Sequence, residues 1–131
     1  MAPVDDVAAR QGGARAALRL LRVRQWVKNG FVLAPLFFGV ELLNRTALAH
    51  AADAFAIFCL VSSAIYIFND WRDMEADRAH AEKRHRPLAS GAISVGAAAA
   101  LLVLLVAAAT ALALASSLPR AFFGVLGVYV A

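Results

Sequence analysis

Residues Val95 to Leu118 run for 24 positions without one charged side chain. At about 1.5 Å of rise per residue, a helix of that length crosses a hydrocarbon core of roughly 30 Å with some tilt. Such a run reads as a membrane span, and it sets the frame for the rest of the chain. The 131 residues are 62% hydrophobic, against about 45–50% for a soluble domain. The excess lies in long runs, which is the signature of spans and not of a larger soluble core. Pro119 and Arg120 end the charge-free run, and a further apolar stretch, Ala121 to Ala131, has 11 residues. That is too short to span, so the chain is expected to be an N-terminal fragment of a longer protein.

Two further spans are expected upstream, from about Asn29 to Leu43 with Pro35 as a kink, and from about Ala47 to Phe68. The fold class is therefore all-α, a multi-span transmembrane helical bundle truncated after about four helices. Residues 29–131 form the transmembrane part, and residues 1–28 a cytoplasmic tail and amphipathic helix. The tail is expected to lack structure over residues 1–12. Beyond Gly12 and Gly13, Arg15, Arg19 and Arg22 recur at helical spacing beside Leu18 and Leu21. A helix of that kind lies on a bilayer with arginine toward lipid phosphate and leucine toward acyl chains. His50 and Asp53 are one turn apart and read as a polar cap near the outer surface. Cys59 reads as a small buried hydrophobe. No cleavable signal peptide is visible.

Orientation follows from counting cations. Six precede the first span (Arg10, Arg15, Arg19, Arg22, Arg24, Lys28) and five lie between the second and third (Arg72, Arg78, Lys83, Arg84, Arg86). Only Arg45 and Arg120 fall on the other side. Cytoplasmic segments carry such an excess, so the N-terminus and residues 69–91 are expected on the cytoplasmic side of the membrane. The net charge of +4 is accounted for by topology, and no nucleic-acid partner is expected.

The chemistry is concentrated in Asn69-Asp70-Trp71-Arg72-Asp73-Met74-Glu75-Ala76-Asp77. If the second span continues as a helix, Asp70, Asp73 and Asp77 fall within about 60° of arc. Three carboxylates on one face beside a bilayer repel each other, and a divalent cation relieves that. Mg2+ takes hard oxygen ligands and is commonly shared between one or two carboxylates and substrate phosphates. The residues thus suggest a Mg2+ bridge to a diphosphate; nothing suggests zinc. The following stretch supplies Arg78, Lys83, Arg84 and Arg86 for phosphate oxygens, before Pro87 and Gly91 punctuate the loop.

The segment resembles the first aspartate-rich motif of the UbiA superfamily of intramembrane prenyltransferases, Asn-Asp-x-x-Asp-x-x-x-Asp, which Asn69, Asp70, Asp73 and Asp77 match. The following Arg86-Pro87-Leu88-Ala89-Ser90-Gly91 fits the same placement. Arg24-Gln25-Trp26-Val27-Lys28-Asn29 with Ala34-Pro35-Leu36 resembles the bacterial decaprenyl-phosphate phosphoribosyltransferase branch. The resemblance covers roughly residues 18 to 95. It implies about nine spans and a second aspartate-rich motif in a later half that this chain lacks.

For that branch the resemblance implies Mg2+-dependent transfer of 5-phosphoribosyl from phosphoribosyl pyrophosphate to a polyprenyl (decaprenyl) phosphate, supplying cell-wall arabinan precursor. Asp70, Asp73 and Asp77 would hold the metal. Lys28, Tyr66, Asn69, Arg78, Lys83, Arg84 and Arg86 would bind substrate, with Lys28 meeting the lipid phosphate. Partners are then the bilayer, the polyprenyl phosphate or diphosphate lipid and phosphoribosyl pyrophosphate. A homo-oligomer is compatible with the reading but not required by it. One alternative is prenyl transfer from a polyprenyl diphosphate to an aromatic acceptor, using the same carboxylates. Another is a non-catalytic membrane remnant, or half of a split enzyme.

Overall fold

The computed structural model describes residues 4–39 and 42–131, with side chains from residue 12 onward. Among these the chain is built of helices joined by turns and loops, without strands. Helix α1 (Val4–Leu21) leads into a 3-10 stretch (Val23–Leu33) and the short α2 (Ala34–Phe38). Then come α3 (Arg45–Arg72), α4 (Met74–Ala79), a 3-10 turn (Lys83–His85), α5 (Val95–Ala115) and α6 (Arg120–Val130). Each boundary has a local cause. Asn44 caps α3, its side-chain oxygen accepting the N–H groups of Thr46 (3.0 Å) and Ala47 (3.2 Å). Ser94 caps α5 through the N–H of Ala97 at 3.1 Å. Both satisfy donors that the first turn of a helix leaves open.

Among the described residues two helices are long and apolar enough to cross a membrane, α3 and α5. With 28 residues, α3 extends about 42 Å, beyond a hydrocarbon core of roughly 30 Å. Its last turn, with Asn69, Asp70 and Arg72, is polar. Along α5, Val103, Leu104, Val106 and Leu114 stay exposed, as on a helix that faces lipid or further helices.

The expected first span is not one membrane-length helix. Pro35 sits in the opening turn of α2, where its missing N–H costs nothing, but where it also cannot continue a helix arriving from Leu33. The α2 helix closes after five residues, the N–H of Gly39 bonding the Pro35 carbonyl at 2.8 Å. Residues 40 and 41 of that expected span lie outside the described residues. At the N-terminus, α1 begins at Val4 and takes in most of the stretch expected to lack structure; residues 1–3 lie outside the described residues.

The chain divides into two compact units. The first takes the residues up to Val23 with Ser63–Val103, and the second takes Arg24–Ser62 with Leu104–Ala131. In the first, Ala16, Leu20, Ala64, Ile67, Leu88, Ala89 and Ala98 are buried. Helix α1 is therefore packed into protein along its Ala16–Leu20 edge, while Leu18, expected to face acyl chains, is exposed. The Ser63 hydroxyl donates to the Leu21 carbonyl at 2.7 Å and ties the end of α1 to α3.

In the second unit Phe58 is the hub. It meets Phe31, Phe122 and Tyr129 edge-on, with ring centroids 5.6, 5.7 and 4.9 Å away. Beside it, buried Asn29 donates toward Ser62 Oγ (3.4 Å) and Cys59 Sγ (3.6 Å) and accepts from the Tyr129 hydroxyl (3.4 Å). A polar side chain in an apolar bundle needs such partners.

Candidate functional site

Helix α3 delivers Asn69 and Asp70 at its polar end, but it does not run on unbroken to Asp77. Asp73 leaves helical geometry at φ −92°, ψ 5°, and α4 starts anew at Met74. The break undoes the angular argument that put three aspartates on one stripe. Asp70 and Asp77 turn inward, each about 3% exposed. The Asp73 side chain is 45% exposed and pairs with its neighbour, Arg72 Nε to Oδ1 at 3.1 Å.

Two guanidiniums hold the buried pair. Arg86 Nη1 donates both to Asp70 Oδ1 at 3.1 Å and to Asp77 Oδ2 at 2.8 Å. Arg22 Nη2 donates to Asp70 Oδ1 at 2.6 Å. Its guanidinium also lies 4.6 Å from the centre of the Tyr66 ring, within cation–π range. Leaving either carboxylate without a cation would strand a charge out of water, so the pairing is a condition of folding this end of α3. Arg22 is also the one described non-glycine residue with a left-handed backbone, at φ +50°. That conformation costs about 1–2 kcal/mol for a residue with a Cβ. It ends α1 and lets the arginine reach Asp70.

A cavity of about 230 Å3 lies against this cluster, lined by Arg19, Arg22, Asp70, Glu82, His85, Arg86 and Pro87. Arg19 Nη2 donates to the His85 carbonyl at 3.2 Å. The loop that carries Arg86 is folded by its own backbone. The Ser90 N–H bonds the Arg86 carbonyl (2.9 Å), the Gly91 N–H the Leu88 carbonyl (3.2 Å) and the Ile93 N–H the Pro87 carbonyl (3.2 Å). Gly91 takes φ +76°, a turn that favours glycine.

The expected site residues thus separate. Asp70, Asp77, Tyr66 and Arg86 come together. Asn69 is adjacent, its carbonyl accepting the Asp73 N–H at 2.9 Å. Arg78 turns elsewhere, to Glu75 (2.8 Å) and the Ala89 carbonyl (3.2 Å). Lys83 and Arg84 are exposed and do not line the cavity. Lys28 is an exposed residue of the second unit. Missing from the expected set are Arg19 and Arg22, which take the cavity positions assigned to the loop cations. Their signal was present in the basic stretch of α1, where Leu20 between them is the buried residue, but the spacing reads equally as a lipid-facing surface.

The donor set fits Mg2+ in part. Two carboxylates that already share one cation supply hard oxygens, which suits an ion that takes one or two carboxylates and leaves the rest to phosphate and water. A gathering of three His, Cys, Asp or Glu side chains is absent among the described residues. Asp70 and Asp77 are the two carboxylates that meet on one guanidinium.

The chain is 43% identical over 120 residues to a decaprenyl-phosphate phosphoribosyltransferase of Corynebacterium glutamicum, an alignment covering 90% of this chain and 36% of that protein. It is 48% identical over 80 residues to the same-named protein of Mycolicibacterium smegmatis, covering 58% and 25%. A polyprenyl transferase of Aspergillus fumigatus, pyr6, is 42% identical over 60 residues, covering 46% and 19%. The chain thus spans about a third or less of the length of these relatives. No solved structure matches it. The model of the UbiA prenyltransferase family matches residues 30–131, which include Asp70, Asp77 and Arg86, and the chain belongs to that family.

Proposed function

We propose that this chain supplies the diphosphate-binding part of a Mg2+-dependent phosphoribosyltransferase, which moves 5-phosphoribosyl from phosphoribosyl pyrophosphate to decaprenyl phosphate. The single observation that carries the reading is the buried Asp70–Arg86–Asp77 bridge at the polar end of a membrane-length helix. Charged groups so placed are expensive and are usually functional. The relatives named for this activity, at 43% and 48% identity, favour it over other transfers.

In this reading Asp70 and Asp77 would hold Mg2+, which when bound supplies charge neutralisation for the departing diphosphate. Arg86 and Arg22 stand beside the same carboxylates and would bind phosphate oxygens that the ion leaves free. Tyr66 keeps the Arg22 guanidinium in place. The C1–O bond to diphosphate breaks, and a phosphate oxygen of the lipid forms the new bond to C1. Lys28, exposed at the N-terminal side of the 3-10 stretch, would meet the lipid phosphate. The product would be a polyprenyl-phosphoryl phosphoribose, a precursor of cell-wall arabinan. The N-terminus and residues 69–91 would face the cytoplasm of a bacterial inner membrane.

The likeness to pyr6 favours a second reading, transfer of a prenyl group with the same carboxylates ionising an allylic diphosphate. Both donors should be offered to the purified protein in micelles, with decaprenyl phosphate or an aromatic acceptor. The expected result is diphosphate release from phosphoribosyl pyrophosphate, abolished by EDTA. Release from a prenyl diphosphate alone would reverse the assignment, and release from neither would leave a non-catalytic remnant.

A further inference from the structure

We infer that Ser63 of α3 is a positioning residue for Arg22: by holding the Leu21 carbonyl it fixes the left-handed turn that carries the Arg22 guanidinium to Asp70. Its role toward the diphosphate rests on the function proposed above, and the clamp itself rests on geometry.

Helix α3 is continuous from Arg45 to Arg72, so Ser63, Tyr66 and Asp70 fall within about 60° of arc on one of its faces. Each meets a different part of the same two residues at the end of α1. The Ser63 hydroxyl donates to the Leu21 carbonyl at 2.7 Å. The Tyr66 ring faces the Arg22 guanidinium, whose central carbon is 4.6 Å from the ring centre. Asp70 Oδ1 accepts from Arg22 Nη2 at 2.6 Å. The three contacts run along about two turns of α3, with backbone held at one end and the side-chain tip at the other.

Leu21 is the last residue of α1, and the last carbonyls of a helix have no partner within it. Water would satisfy such a carbonyl in no fixed direction. Ser63, with no exposed surface, gives it one. The peptide plane between Leu21 and Arg22 is rigid, so a hydrogen bond at its oxygen sets the axis about which the Arg22 backbone turns. At φ +50° Arg22 stands in a conformation unfavourable for a residue with a Cβ. Such a conformation persists only where the surroundings over-determine it. Tyr66 and Asp70 hold the tip of a long, rotatable side chain, which several backbone geometries would allow. The Ser63 bond removes that freedom. Without the hydroxyl, Arg22 relaxes toward the right-handed region and its guanidinium is displaced from Asp70.

The test is a double-mutant cycle on the full chain in micelles, combining Ser63→Ala with Arg22→Gln. Denaturant unfolding is the first readout. Each single variant should lower the midpoint, and Arg22→Gln should lower it much less in the Ser63→Ala protein than in the wild type. A serine that merely joined α1 to α3 would give additive shifts, because its bond to Leu21 involves no side-chain atom of Arg22. Ser62→Ala, whose hydroxyl bonds the Cys59 carbonyl instead, should leave the Arg22→Gln shift as it is. Calorimetric titration of pyrophosphate in excess Mg2+ is the second readout. Ser63→Ala should weaken binding roughly tenfold, with no further loss when it is added to Arg22→Gln. If Ser63→Ala does not fold, Ser63→Cys, a weak donor of similar size, replaces it in the same cycle. Additive midpoint shifts, or no shift on losing the hydroxyl, would overturn the positioning role. Coupled shifts with an unchanged pyrophosphate affinity in Ser63→Ala would overturn its role toward the diphosphate. Coupled shifts in a protein whose wild type binds no pyrophosphate would remove the proposed enzymatic function and leave the clamp in place.

Discussion

Asp70 accepts from two arginines while itself shut off from water, whereas Asp73, three residues on, lies half in solvent beside Arg72. These environments give opposite expectations for the same substitution. Asp70→Asn should cost about 2–3 kcal/mol in denaturant unfolding in micelles, because it leaves Arg22 and Arg86 beside a neutral group. Asp73→Asn should change stability by no more than about 0.5 kcal/mol, as exposed pairs do. With Mg2+ held by Asp70 and Asp77, Asp70→Asn should also weaken Mg2+-dependent binding of a diphosphate, and Asp73→Asn should leave that binding unchanged. Loss of diphosphate binding in Asp73→Asn would instead return Asp73 to the metal-binding set. The identity of the acidic residues was legible in the sequence because their spacing is a motif. Their division into a buried pair and an exposed single residue was not, because it depends on one backbone break at Asp73.

Among the elements, the turns carry as much of the site as the helices. Gly91 occupies φ +76° with open space where a Cβ would stand. Gly91→Ala should therefore destabilise by about 1 kcal/mol from backbone strain alone, without a steric clash. The loop it closes holds Arg86, so the same variant should loosen the Arg86–Asp77 bridge, visible as faster hydrogen exchange at Ser90. In the second unit the element to test is the 3-10 stretch, anchored by Asn29. Asn29→Ala should cost about 1 kcal/mol, and a double-mutant cycle with Ser62→Ala should give a coupling of about 0.6 kcal/mol, as for polar contacts within membrane bundles. The sequence marked this stretch as the start of a span. It could not show that Pro35 would open a separate short helix, since a proline in an apolar run is compatible with either a kink or a break.

For the whole molecule, the eleven-to-two distribution of cations makes a prediction of its own. In a Cys59→Ala background, Ala81→Cys should react with a membrane-impermeant maleimide only in inside-out vesicles, and Arg45→Cys only in right-side-out ones. Equal labelling from both faces would remove the assigned topology. Hydrophobic patterning and charge placement determined by themselves that the chain is helical, that the segments of α3 and α5 are long enough to cross a membrane, and where its acidic motif begins, but they also marked a span at 29–43 that the structure breaks at Pro35. Both properties are sums over many residues, so no single contact alters them. Which cations meet the aspartates was decided only by tertiary structure. Burial of Leu20 brings the end of α1 beside the end of α3, and a left-handed Arg22 then reaches Asp70 across 48 positions of chain. A pairing that long-range leaves no periodic trace, because it is fixed by packing geometry and by the need of a buried carboxylate for a counter-charge.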